Sequence, residues 1–215
     1  MKIPVIINNR NLLTWTKSMV EKIKTYDNVG DVIIIDNKST YEPLLEWYKT
    51  NPCEIVYCDN LGHYGAWNSG IVNKLNCEYY VVSDPDLGID ETPQDSLVYL
   101  LEKMKELNLD KIGFGLDRSL VLPECPYYNH MNNWEKGRYE SSRFEKDIYL
   151  DVQIDTTFAL YHEKYYFIGG GSTISPYMAK HYPWYFTKED VKKNDEFMYY
   201  LDNASSSSTC KSFLL

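Results

Sequence analysis

Apolar runs and apolar stripes alternate along the first half of the chain with little room between them. Residues 3–7 are an unbroken apolar run of strand length, and Leu12, Leu13, Thr16, Met19, Val20, Ile23 and Tyr26 then recur at helical spacing. Residues 32–35 predict a second strand, residues 42–49 a short helix opened by Pro43, and residues 54–57 a third strand. Residues 67–75 predict another helix, leading into an apolar strand from Tyr79. Beyond it, Thr92 is placed to cap a helix with Pro93 at its first position and Leu97, Leu100, Leu101, Met104 and Leu107 as its buried stripe. Residues 111–115 predict one more strand. Strand and helix in alternation imply right-handed crossovers and a mixed, mainly parallel sheet flanked by helices, an α/β fold.

The second half is less regular. Residues 132–147 are polar and aromatic without a clean period, which predicts a surface helix or a mobile loop. Residues 158–161 predict a strand, Gly169-Gly170-Gly171 a flexible turn, and residues 205–208 a disordered or ligand-ordered tail. Neither an internal repeat nor a linker interrupts the pattern, so residues 1–215 are expected to form one domain.

Composition narrows the function. With 215 residues and 44% hydrophobic content the chain can bury one sizeable core, and a net charge of -9 argues against nucleic acid as a partner. Any phosphate bound here needs a metal or a local basic pocket. No apolar run approaches the roughly 18 residues of a membrane span, and the chain enters a strand without a secretory leader, so a cytoplasmic protein is expected. Cys53, Cys58, Cys77, Cys125 and Cys210 lack the spacing of zinc or redox motifs and read as reduced thiols.

Ligands of open α/β sheets lie beyond the carboxyl ends of the strands, and the residues there form a consistent polar set. Asn8-Asn9-Arg10 follows the first strand, Asp36-Asn37-Lys38-Ser39 the second, Asp59-Asn60-Leu61-Gly62-His63 the third and Asp84-Pro85-Asp86 the fourth. Two carboxylates separated by one residue at a strand end can face one hard cation and share it with diphosphate oxygens. A GxGxxG after the first strand is missing, as is a GxxxxGK[ST], and Asn8-Asn9-Arg10-Asn11 is not the glycine-rich loop of an enzyme that makes sugar nucleotides. Transfer from a ready-made sugar nucleotide fits better.

The ordered series of residues 5–11, 35–40, 60–63, 84–86, 154–161 and 181–185 resembles short glycosyltransferases of the GT-A fold, close to family 2, over nearly the whole chain. It is similar too to the glycosyltransferase domain of a large chlorovirus protein, which implies a domain of a longer polypeptide in a host cytoplasm. Asp36-Asn37-Lys38-Ser39 departs from the usual Asp-Asp-Gly-Ser turn and leaves the base contacts open.

The resemblance implies a nucleotide-sugar-binding half over residues 1–115 and an acceptor-side half over residues 116–215. It implies nucleotide contacts from Asn8, Asn9, Arg10, Asp36, Asn37, Asn60, His63 and Asp84, and metal ligation by Asp84, Asp86 and His181, with Mn2+ (or Mg2+) as cofactor. Imidazole beside carboxylate favours manganese over an all-oxygen magnesium site. Asp155 is the candidate general base, with Asp195 and Glu196 as alternatives, and Trp134 and Trp184 supply flat faces for sugar rings. The expected partners are a UDP-sugar donor and a carbohydrate or glycoconjugate acceptor. A sugar-nucleotide-forming nucleotidyltransferase and a non-catalytic carbohydrate-binding domain are the alternatives.

Overall fold

The computed structural model describes residues 1–154, 157–204 and 209–214, with their side chains except those of Glu135 and Thr209. The first half runs β1 (Ile3–Asn9), α1 (Thr14–Ile23), β2 (Val29–Asn37), α2 (Glu42–Tyr48), β3 (Glu54–Cys58), α3 (Gly65–Asn68), α4 (Ile71–Lys74), β4 (Tyr80–Ser83), β5 (Leu87–Gly88), α5 (Ser96–Glu106), β6 (Lys111–Gly113) and β7 (Gly115–Leu116). The second runs α6 (Tyr128–Glu140), β8 (Arg143–Glu145), β9 (Ile148–Gln153), β10 (Ala159–Tyr161), β11 (Gly169–Thr173), β12 (Met178–His181), α7 (Lys188–Lys192), α8 (Asp195–Asn203) and α9 (Thr209–Leu214).

Among the described residues, nine strands form one sheet in the order β3-β2-β1-β4-β10-β6-β11-β9-β8, and β5-β12-β7 form a second. The strands β3, β2, β1 and β4 are mutually parallel, as strand–helix alternation predicts, while β10 inserts antiparallel between β4 and β6. Every residue of β1 is buried, which is why it reads as an unbroken apolar run. Its alternate residues feed two cores. Ile3, Val5 and Ile7 join the larger one with Val32, Ile34 and Val81, and Ile6 joins the smaller with Ile33, Ile35 and Val82. This assignment of faces carries up to the polar residues at the strand ends.

Four sequence expectations change. The helix expected over residues 67–75 is split into α3 and α4 by Gly70, whose φ of 75° lies in the left-handed region that glycine reaches without strain. Thr92 is not a helix cap: its hydroxyl donates to the Ile89 carbonyl and meets the Tyr26 phenol, and α5 starts after Asp95. The Gly169–Gly171 stretch is part of β11, not a turn, because a Cβ on Gly170 would lie 2.7 Å from the Lys111 carbonyl oxygen and only glycine lets the strands approach. The strand expected over residues 111–115 divides between the two sheets at Phe114. For residues 132–147 the helix is the outcome, followed by β8, and residues 205–208 lie outside the described residues.

Helix α1 has no cap of its own. Glu196 supplies one from α8, its carboxylate accepting from the Leu13 N–H (2.7 Å), the Thr14 N–H (2.9 Å) and the Thr14 hydroxyl (2.7 Å). A carboxylate at a helix N-terminus also meets the positive end of the helix dipole, so this contact docks the C-terminal region on the first βα unit.

Candidate active site

The carboxyl ends of β1 to β4 open into a cleft of about 840 Å³. Its strand-side wall holds Asn8, Arg10, Asn37, Asn60, His63 and the Asp84-Pro85-Asp86 turn. Its far wall comes from α6, where His130, Met131, Trp134 and Arg138 share one face at helical spacing, and from Tyr127 just before the helix.

Strand alternation decides which polar residues reach the cleft. Asn8 and Asn37 stand on the face that carries Ile6 and Ile35, toward the loop after β3. The Asn37 amide nitrogen donates to Asn8 Oδ1 (2.6 Å) and to the Gly62 carbonyl (3.3 Å), Asn8 Nδ2 donates to the same carbonyl (3.2 Å), and Asn37 Oδ1 accepts from the Leu61 N–H (3.0 Å). These amides hold the loop that presents Asn60 and His63, both exposed. Gly62 turns that loop with φ of 68°, and a Cβ on Gly65 would lie 2.3 Å from Asn8 Oδ1.

Asn9 and Asp36 stand on the opposite face and do not line the cleft, which corrects their expected nucleotide contacts. Successive strand residues point to opposite sides of the sheet, so neighbours cannot both serve one ligand. Asn9 is fully buried and donates to the Leu12 carbonyl (3.0 Å) and the Tyr48 hydroxyl (2.9 Å), while Asp36 Oδ1 accepts from the Ser39 N–H (2.9 Å) in a local turn.

Asp86 and His181 meet at the cleft floor. The ladder between β5 and β12 pairs His181 with Leu87, and the Tyr182 N–H donates to the Asp86 carbonyl (3.0 Å), so sheet pairing brings the two side chains together. His181 Nε2 lies 3.4 Å from Asp86 Oδ2, while Asp86 Oδ1 and His181 Nδ1 are buried without a hydrogen-bond partner. That separation suits two neighbouring ligands of one cation with bonds of about 2.0–2.2 Å, and the mixed carboxylate and imidazole set is a manganese-compatible one. The residues present therefore fit a divalent metal. Asp84 lines the same cleft, but the ligand atoms of Asp84, Asp86 and His181 do not all lie within 4.8 Å of one another. The strand ends at Ser83 and the carboxylates sit in the following turn, where alternation no longer aligns them.

Other residues of the floor stay neutral. Burial pushes the Cys210 thiol up to about 12, the carboxylates of Asp86 and Asp84 adding to the effect. Burial likewise drives the Tyr127 phenol far up.

Trp184 lines the cleft but is only 8% exposed, its ring 5.0 Å from that of His181, so it backs the imidazole and offers little face to a sugar. Trp134 is 49% exposed at the cleft wall and does offer one. Asp155 lies outside the described residues. Beside it, Thr157 lines the cleft and the Ile154 carbonyl accepts from the buried Lys111 ammonium (2.5 Å). Of the alternative bases, Glu196 is committed to the N-terminus of α1 and Asp195 is exposed away from the cleft. Sequence reading named Trp134 but missed the rest of the α6 face, and Tyr200 and Cys210, which also line the cleft. The spacing of His130, Met131, Trp134 and Arg138 was the available signal, masked by the polar residues between them.

No family model matches the chain, and no curated protein matches it in sequence. Solved structures match in three dimensions. The mannosyltransferase PcManGT from Pyrobaculum calidifontis, in complex with GDP-Man and Mn2+, superposes with a TM-score of 0.53 at 12% identity, over 99% of this chain and 68% of that one. The fold is GT-A. Glucosyl-3-phosphoglycerate synthase from Mycobacterium tuberculosis, in complex with Mn2+, UDP-glucose and phosphoglyceric acid, superposes with a TM-score of 0.49 at 13% identity, over 75% of this chain and 56% of that one. A CMP:2-keto-3-deoxy-manno-octonic acid synthetase complexed with CTP gives 0.47 at 9% identity, over 75% and 74%. These last two superpositions are too loose to bear on function. At such identities likeness extends to the fold alone, and within it the described residues include no helix long and apolar enough to cross a membrane.

Proposed function

We propose that the chain is a metal-dependent glycosyltransferase of the family 2 type, moving a sugar from a UDP-sugar to a carbohydrate or glycoconjugate acceptor. The observation that carries this reading is the apposition of Asp86 and His181, each with a buried unpartnered atom, on the floor of a cleft of about 840 Å³ at the carboxyl ends of parallel strands. The Mn2+ bound by PcManGT in the same fold supports the choice of metal.

Asp86 and His181 would hold the cation, with Asp84 beside the ribose. A bound Mn2+ supplies Lewis-acid stabilisation of the charge that grows on the departing diphosphate. Asn8 and Asn37 keep the loop after β3 in place, so that Asn60 and His63 meet the nucleoside. Trp134 offers its exposed face to a sugar ring, and Trp184 fixes the orientation of the imidazole. In transfer, the bond from the anomeric carbon to the diphosphate oxygen breaks with its electron pair going to that oxygen. The acceptor oxygen bonds to the anomeric carbon, and its proton passes to a base, the role assigned to Asp155.

Calorimetry tests the reading. UDP affinity measured with and without Mn2+ should differ strongly, because a carboxylate and an imidazole give too few ligands for a tight site without diphosphate oxygens. Equal affinity under both conditions defeats it, and a panel of UDP-, GDP- and dTDP-sugars screened for metal-dependent hydrolysis identifies the donor.

A further inference from the structure

Arg10 is the cleft residue whose surroundings leave most unexplained. It follows β1 directly, and because β1 pairs with β4 through Ile7 and Ser83, it leaves the sheet beside the Asp84-Pro85-Asp86 turn. The backbone there is fixed from several sides. Asn11 takes φ of 57°, its N–H donates to the Ser39 hydroxyl (2.9 Å), and its Oδ1 accepts from the N–H groups of Thr40 (2.7 Å) and Tyr41 (3.1 Å). Just beyond, Glu196 clamps Leu13 and Thr14. Arg10 itself donates through Nη2 to the Asn203 carbonyl at the end of α8 (3.2 Å).

Its Nε–H, by contrast, is buried without an acceptor, and among the described residues Arg10 makes no ion pair, although Asp84 and Asp86 line the same cleft. A guanidinium N–H held out of water is costly when unsatisfied, and the surrounding hydrogen bonds keep the segment from relaxing to relieve it. The planar fork of donors matches phosphate oxygens bidentately, and a chain with net charge -9 needs a fixed local cation to receive a diphosphate.

We propose that Arg10 is a catalytic residue that binds the diphosphate of the donor, beside the cation held by Asp86 and His181, and stabilises the oxygen that receives the electron pair when the glycosidic bond breaks. The assignment rests on the glycosyltransferase reading above. It narrows the expected nucleotide contact of Arg10 to the phosphates, because a permanent cation with a desolvated donor is better matched by an anion than by the neutral edge of a base.

Binding of UDP and of uridine, both with Mn2+, separates the roles. Calorimetry for UDP and ligand-observed NMR titration for uridine would be run on the wild type, Arg10→Ala and Arg10→Met, the last keeping the aliphatic stem if alanine fails to fold. Arg10→Ala or Arg10→Met should weaken UDP about 10- to 100-fold, the range of a charged hydrogen-bond pair, with uridine unchanged. Arg10→Lys should recover part of the loss, since it restores the charge without the fork. Uridine and UDP weakened by the same factor, or UDP affinity unchanged, overturns the assignment while leaving the glycosyltransferase reading intact. A wild type that binds none of UDP, GDP and dTDP with Mn2+ defeats that reading, and this assignment with it.

Discussion

Replacing Asp86 with alanine should hold or raise the melting temperature of the metal-free protein and abolish its rise with ligand. In the metal-free protein the Asp86 side chain is only 13% exposed and its Oδ1 has no partner. An unsatisfied buried acceptor costs about 1–3 kcal/mol, so its removal stabilises by that order. Against this stands the loss of the contact with His181, which at 3.4 Å is too long for a strong hydrogen bond and is worth up to about 1 kcal/mol. The net gain is roughly 0–3 kcal/mol, and at about 2–4 °C per kcal/mol for a domain of this size the metal-free variant should melt up to about 12 °C higher than the wild type. With Mn2+ and UDP at a hundred times their dissociation constant, the wild type should gain about 2.7 kcal/mol, or roughly 5–11 °C, and the variant nothing. Differential scanning calorimetry with and without the ligand pair reads both arms. A variant that keeps the ligand-induced rise removes Asp86 from the metal site. A metal-free variant that melts below the wild type would mean that the carboxylate is a structural element whose partners the orphaned-atom argument misjudged.

Other expectations follow from single contacts. His181→Ala should weaken Mn2+ more than Mg2+, because loss of the imidazole leaves a harder, oxygen-only site; an unchanged Mn2+/Mg2+ activity ratio with an intact melting curve excludes His181 as a ligand. Glu196→Ala strips the cap from α1 and should lower the melting temperature by about 2–8 °C, from a cap worth about 1–2 kcal/mol. Glu196→Gln should lose less, since its carbonyl oxygen still accepts, and thermal denaturation of both checks the order. Burial raises the Tyr26 phenol to about 12, against a hydrogen bond to Thr92 that lowers it. The folded state therefore holds this proton more tightly than the unfolded chain, so its contribution is complete below about pH 10 and is lost as the pH rises toward 12, at up to about 1.4 kcal/mol per unit. Urea denaturation between pH 8 and 11 should show a shallower alkaline decline for Tyr26→Phe than for the wild type.

What the sequence determined by itself is short-range. Short apolar runs bounded by polar turns and alternating with helical stripes fit the strands of a buried parallel sheet, so β1–β4, the helical stripe of α5 and the gathering of polar residues at the strand ends were all legible from residue order. The chain also carried Asp84-Pro85-Asp86 at a strand end, because an apolar strand followed by a proline-containing turn must stop there. Three things were decided only by the tertiary structure. Periodicity separates Asn8 from Asn9 and Asp36 from Asn37, but which of each pair faces the cleft depends on which face of the sheet the larger core covers. His181 reaches Asp86 through the β5–β12 ladder, whose two strands are too short to be read from local propensity. Glu196 has the ordinary appearance of a solvent-facing acid in the first turn of α8, and becomes the cap of α1 only when distant segments pack. Local preferences act over a few residues, whereas an active site is assembled from side chains whose proximity is set by the sum of weak contacts over the whole chain.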